Sequence, residues 1–350
     1  MNWKKYWRTL VTTTLGIFIF VCSVIYIVNP YGDIPFAPPF EKAVMATNQR
    51  FSYPSVARDP DFDSAVFGTS TSRLLQPEKL NAAFGGSFAN LAMNSATAYE
   101  QYRLFQVFLR KHPRPRTVII GVDNVWCHVS DTLIKYTFRP FPEWMYDDNA
   151  WNDIPELLSF KTLEITGRKI GYLIGVRDSK YDINGYRDFL PPASEYDLDR
   201  AREHIYGSVK QKKHEIPENP VQISDKELAA WEYPSHDLLK DILVSLAPET
   251  RKVLFFVPYH AYFQAVPGTR NWYVQQECKS RISSIVASFQ NVTLADFMIP
   301  SALTTVDQNY WDPLHYSSEM SVKLVSDLKL ASEHKVSVDQ DYRLLVPDFD

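Results

Sequence analysis

Ala65-Val66-Phe67-Gly68-Thr69-Ser70 reads as a short apolar strand that runs into a tight turn and ends on hydroxyls. Gly68 gives that turn room, and Ser70 stands three residues beyond the last apolar strand position. A serine hydroxyl is a weak nucleophile until it is exposed at such a strand end with a base in hydrogen-bond reach. Ser70 is the candidate, with Ser72 second. The same letters also fit an ordinary Ser/Thr-rich turn leading to the helix expected from about Pro77.

Downstream, strands and helices alternate. Phe88 to Met93 reads as a second strand, Tyr99 to Lys111 as an amphipathic helix stopped by His112-Pro113, and Thr117 to Val122 as a third strand. The pattern resumes with a helix at Leu238 to Leu246, a strand at Val253 to Val257, a helix at Trp272 to Phe289 and a strand at Val292 to Ala295. Ser317 is placed to cap a last helix reaching about Glu333. This grammar predicts an α/β fold with a parallel sheet covered on both faces. Between about 124 and 234 the alternation is lost, and the segment carries Trp126, Trp144, Trp151 and Trp231 with Tyr136, Phe138 and Phe141. We read it as an insertion over the C-terminal edge of the sheet, where open α/β sheets place ligands. Its aromatics either stack on sugar rings or bury one another in a minor core.

The N-terminus sets the location. Leu10 to Val28 is an apolar run without a charged residue, preceded by Lys4, Lys5 and Arg8. Its length exceeds a usual signal core and no small-x-small site precedes Asn29-Pro30, which favours an uncleaved membrane anchor over a cleavable signal peptide. The cations predict a cytoplasmic stub at 1–8, an anchor at 9–28, a linker at 29–60 and an α/β domain at 61–350 lying outside the membrane. With 45% hydrophobic and 14% aromatic residues the chain can bury a large core, and a net charge of -4 offers no basic footprint for nucleic acid. Cys127 and Cys278, the two cysteines beyond the anchor, could form one bridge in an oxidising compartment or remain two buried thiols. No CxxC or His/Cys cluster suggests a metal, and no cofactor is indicated.

Near the other end of the chain stands Asp312-Pro313-Leu314-His315. A histidine acting as general base needs its second ring nitrogen held by an acceptor, and an aspartate three residues earlier across a proline turn can supply it. An Asp and a His at the start of the last helix are also compatible with simple capping. Pro258-Tyr259-His260 follows a strand, so His260 is expected at the same sheet edge as a substrate contact or rival base. Arg73 is expected to pair with a substrate carboxylate or with a surface acid.

Gly68-Thr69-Ser70 and Asp312-x-x-His315 together resemble the first and last blocks of the SGNH/GDSL hydrolase superfamily, in particular its membrane-anchored polysaccharide O-acetyltransferase-like proteins (the alginate O-acetylation and D-alanyl transfer branch). The resemblance implies a flavodoxin-like three-layer sandwich, with Ser70 as nucleophile, His315 as base and Asp312 orienting it. The family's second block supplies an oxyanion-hole N–H from a glycine, and Ser95 stands in that place within Asn90-Leu91-Ala92-Met93-Asn94-Ser95. The third block, Gly-x-Asn-Asp, is here Gly121-Val122-Asp123-Asn124, with a carboxylate where the amide belongs. Asn124 taking over, Asp123 being protonated or turned to a substrate hydroxyl, or a hole of only two donors would each accommodate this. The expected oxyanion donors are therefore Ser70, Ser95 and Asn124. The implied activity is serine-dependent acyl transfer or ester hydrolysis on a cell-envelope polysaccharide, with a membrane-bound O-acyltransferase as partner and the globular part periplasmic or extracellular. A catalytically silent scaffold that binds glycan or that partner, and a lipid-directed esterase, are the competing expectations.

Overall fold

The computed structural model describes residues 2–32, 34–337 and 339–345, with backbone alone at 150 and 151. In chain order the elements are α1 (Trp3–Val28), α2 (Gln49–Ala57), β1 (Ser64–Phe67), α3 (Pro77–Phe84), β2 (Phe88–Asn90), α4 (Ala98–Lys111), β3 (Thr117–Val122), α5 (Ala150–Glu156), α6 (Phe160–Leu173), α7 (Leu198–Tyr206), α8 (Asp225–Ala230), α9 (Ser235–Ser245), β4 (Arg251–Phe256), α10 (Arg270–Val286), β5 (Val292–Asp296), α11 (Ala302–Thr305), α12 (Ser318–Ser332) and β6 (Arg343–Leu344).

These elements divide into two compact units, one of residues 1–56 and 141–185, the other of 57–140 and 186–350. The second unit is α/β. Its sheet has the order β2-β1-β3-β4-β5-β6, the first five strands parallel and β6 antiparallel beside β5. β1 and β3 are buried at every position, as strands covered on both faces must be, and their continuous apolar sequence follows from that. Helices α3 and α12 pack against each other on one face, and α9 packs with α4 and α10 on the other. Chain direction across the sheet reverses at β1, which puts the β1 and β3 ends at the crevice such a reversal opens.

Several limits differ from expectation. The pairing of 88–93 is real, but only 88–90 are strand. Beyond them, Leu91 N–H donates to Val66 O at 2.8 Å and Met93 N–H to Gly68 O at 3.0 Å, continuing alongside β1 in loop form. Ser317 caps α12 as expected, accepting from Met320 N–H. Residues 124–140 and a strap at 186–234, carrying α7 and α8, belong with the sheet, whereas 141–185 belongs to the first unit, so the expected insertion is divided between the two units.

The first unit contains α1, which is long and apolar enough to cross a membrane. Its helix already begins at Trp3, so residues 3–8 of the expected stub are helical. Residues 29–60, expected as a linker, hold α2 and belong to this unit up to Val56. α1 packs on α6, Phe141 stacks on Tyr146, and the Tyr146 hydroxyl donates to Arg50 O at 2.9 Å. Trp126 and Trp231, in the second unit, are buried, so those aromatics serve packing and not ligand stacking. The side chain of Trp151 lies outside the described residues.

Candidate active site

Ser70 and His315 come from opposite ends of the second unit, and local contacts bring them together. The turn after β1 is tight because Gly68 takes φ +150°, and a Cβ there would lie 2.2 Å from Ser72 Oγ. Gly121, on β3, is constrained by the same hydroxyl, since its Cβ would fall 1.9 Å from it. Ser72 is thus fully buried between two glycine backbones, and the second candidate nucleophile is excluded by position. Ser70 remains partly open.

The loop carrying His315 is closed by an antiparallel bridge between Tyr310 and Tyr316, with Trp311 N–H donating to His315 O at 2.9 Å. Tyr316 Oη donates to Thr71 O at 2.8 Å and Thr71 Oγ1 to Leu314 O at 3.3 Å, tying this loop to the serine turn. The outcome is a continuous chain of hydrogen bonds. Asp312 Oδ2 lies 2.7 Å from His315 Nδ1, and His315 Nε2 lies 2.8 Å from Ser70 Oγ. A carboxylate only accepts, so Nδ1 carries the imidazole proton and Nε2 is left as acceptor for the serine hydroxyl. Asp312 Oδ1 meanwhile accepts from the backbone N–H groups of Leu314 and His315, at 2.8 and 2.9 Å. Burial pushes the Asp312 carboxyl up, but its bond to His315 and these two amides outweigh that and hold it below the usual carboxylate range.

The second loop of the site is set by a capping box on α4, in which Thr97 Oγ1 accepts from Glu100 N–H and Glu100 Oε2 from Thr97 N–H. Between that cap and the 91–93 pairing sits Ser95, at φ +54°. Its left-handed backbone is one a glycine would occupy without strain. Ser95 and Asn124 line one cavity of about 300 Å³, whose other walls include Ala98, Val125, Leu133 and Ile134. A separate groove is lined by His315, Asp312, Trp311, Phe189, Arg200 and His204.

Three expected substrate contacts are corrected. Asp123 is buried and turned inward, its Oδ2 accepting from Thr69 Oγ1 and its Oδ1 from Val125 N–H at 3.2 Å. Burial pushes its carboxyl up to about 6 against those bonds. It is absent from the lining of that cavity, while Asn124 is exposed beside it. His260 is buried. Its Nδ1 accepts from Tyr262 N–H at 3.1 Å and its Nε2 lies 3.3 Å from Asp307 Oδ1, so both ring nitrogens are occupied. Its backbone N–H donates to Pro313 O at 2.9 Å, which makes it a buttress of the Asp312–His315 loop. Arg73 is also buried, donating to Asn94 Oδ1 at 2.6 Å with its guanidinium 4.6 Å from the centroid of Phe189, so it is not a surface cation.

Two features had no local signal in the sequence. Phe189, on the 186–234 strap, meets His315 edge-on at 5.4 Å between centroids. Asp307, buried behind the site, accepts from Tyr206 Oη at 2.6 Å, Arg202 Nε at 2.7 Å and Gln211 Nε2 at 3.2 Å. Burial raises its carboxyl, but these donors prevail and hold it low.

Cys127, just past β3, and Cys278, on α10, form a disulfide with their Cα atoms 5.4 Å apart, settling between the two expectations for that pair. Among the described residues no group of three or more His, Cys, Asp or Glu is arranged to hold a metal ion. No protein-family model and no curated protein sequence matches this chain.

Proposed function

We propose that the chain is an SGNH-type, serine-dependent acyl transferase or esterase that works outside the cytoplasmic membrane on a cell-envelope polysaccharide, transferring O-acetyl through an acyl-Ser70 intermediate. The observation that carries this reading is the Ser70–His315–Asp312 relay, with both links under 2.9 Å. His315 Nε2 takes the hydroxyl proton as Ser70 Oγ attacks the acyl carbonyl, and Asp312 stabilises the imidazolium. The oxyanion is met by the backbone amides of Ser70 and Ser95 with help from Asn124. His315 then returns the proton to the departing alkoxide. An acceptor hydroxyl, deprotonated by the same imidazole, attacks the acyl-serine and restores the free enzyme. Water as acceptor gives an esterase, and a sugar hydroxyl gives a transferase.

Further support comes from the strand order 2-1-3-4-5, which is that of doubly wound flavodoxin-like sheets, with the site at its switch point. The groove beside His315 combines Phe189 and Trp311 with Arg200 and His204, a mixture of ring faces and donors suited to a sugar. α1 and the disulfide agree with a tethered domain in an oxidising compartment. The membrane-bound O-acyltransferase partner rests on the family resemblance.

The test uses the full chain in detergent with p-nitrophenyl acetate. Ser70→Ala and His315→Ala are each expected to lower turnover by at least about 1000-fold, and mass spectrometry of the quenched wild type to find an acyl group on the Ser70 peptide. Equal turnover in all three, with no adduct, would instead establish the silent scaffold.

A further inference from the structure

The first unit carries a cavity of its own, none of whose walls belongs to the triad. It measures about 650 Å³ and is largely apolar, walled on one side by Phe18, Cys22 and Tyr26 of α1 and on the other by Phe36, Ile154 and Leu158, with Asp153 the one acidic residue in its lining. Its depth along α1 is informative. The apolar run from Leu10 to Val28 spans ~28 Å as a helix, close to the ~30 Å of bilayer hydrocarbon. Phe18 falls near the middle of that run. A wall that reaches Phe18 therefore reaches the bilayer centre, and the cavity occupies the leaflet on the side where α1 ends.

The polar boundary is marked independently. Lys169, buried on α6, donates from Nζ to Asn29 O at 2.9 Å, at the residue where α1 ends. Two backbone groups of the loop that follows find side-chain partners on α1 or at its end. Ile34 N–H donates to Asn29 Oδ1 at 3.1 Å, and Tyr26 Oη donates to Phe36 O at 2.7 Å. Closing backbone polar groups on nearby side chains is what a surrounding without water requires. Tyr26 lies about one helical turn inside Asn29, so Phe36 is drawn below the boundary. There Phe36 adopts φ +61°, a strained backbone for a bulky residue, and its ring is 97% exposed. An aromatic ring held outward at such cost has a natural environment in acyl chains and none in water.

We propose that this cavity is a lipid site, holding an acyl chain of the outward-facing leaflet, with residues 34–36, Ile154 of α5 and Leu158 just beyond it lying inside that leaflet. The proposal rests on α1 crossing the bilayer and is independent of the chemistry at Ser70.

The test is spin-label accessibility on the full chain, with Cys22→Ser as background, in phosphatidylglycerol/phosphatidylcholine vesicles. Labels at Phe36→Cys, Ile154→Cys and Leu158→Cys are expected to lose access to chelated nickel and keep access to oxygen. They should match a label at Leu15→Cys and oppose one at Glu215→Cys. Nickel access at Phe36 and Ile154 with a lipid-buried Leu15 label overturns the proposal while leaving the anchor intact. Nickel access at Leu15 overturns the anchor and the proposal together. Exclusion of both reagents from the three positions means that protein fills the cavity, and the lipid assignment falls.

Discussion

At the scale of single residues, the site depends on Gly68 more than on any other backbone position. Gly68→Ala brings a Cβ against Ser72 Oγ at a φ that side chains resist, and is expected to destabilise the second unit by about 2–4 kcal/mol. Adding Ser72→Gly removes the clash and leaves the backbone strain, so urea midpoints should recover part of the loss and not all of it. Asp123 gives a pH signature. Its carboxyl is raised to about 6 in the fold from 3.8, so the folded state binds its proton more tightly than the unfolded chain does. Stability from this group is fully present below about pH 4 and is lost as pH rises through about 6. Asp123→Asn keeps a partner for Thr69 and for Val125 N–H without a charge to bury. Relative to wild type it should gain on the order of 3 kcal/mol between pH 4 and pH 8. Parallel pH dependences for the two proteins would refute the buried, protonatable carboxyl. Ser70, Asp312 and His315 were legible because each sits in a short motif whose spacing carries the chemistry. The roles expected of Arg73, Asp123 and His260 were misread because burial and long-range partners decided them. Asn94 with Phe189, Thr69 and Asp307 lie 21 to 116 positions away, where sequence proximity says nothing.

At the scale of elements, alternation of apolar strands and amphipathic helices located β1, β3, β4, β5, α4, α10 and α12 to within a few residues, because buried parallel strands and capped helices leave strong local patterns. β6 escaped notice, being two residues long at the sheet edge. The helices of 141–234 escaped because nothing in their composition says which unit they serve. The disulfide has a measurable role here. It staples the loop after β3, which carries Asn124, to α10 across 151 residues. In the chain-entropy account such a closure stabilises by roughly 5 kcal/mol. Replacing both cysteines by serine should lower the melting temperature by on the order of 10 °C. Dithiothreitol should shift the wild type to the same value and leave the variant unmoved; a wild type indifferent to reductant would argue against the bridge.

At the scale of the whole molecule, α1 is an integral part of a folded unit and not a free extension of it. Ile25 and Val28 are buried and α1 packs on α6. Deleting residues 1–28 should leave the α/β unit folded and its ester turnover intact while 141–185 becomes the first segment cut in limited proteolysis. Uniform protease resistance along the chain would show that α1 contributes nothing to its unit. That interdependence could not be read from the sequence, where 29–60 resembles a connector and 141–185 an embellishment. The two-part composition of the first unit also orders events during synthesis. Its early segment is complete long before residue 185 has been translated, and at ~5–20 residues per second the gap from 56 to 185 takes ~6–26 s. For that interval α1 has no α6 to pack on, and the nascent chain depends on some other apolar surface, whether lipid or a chaperone, to cover Ile25 and Val28.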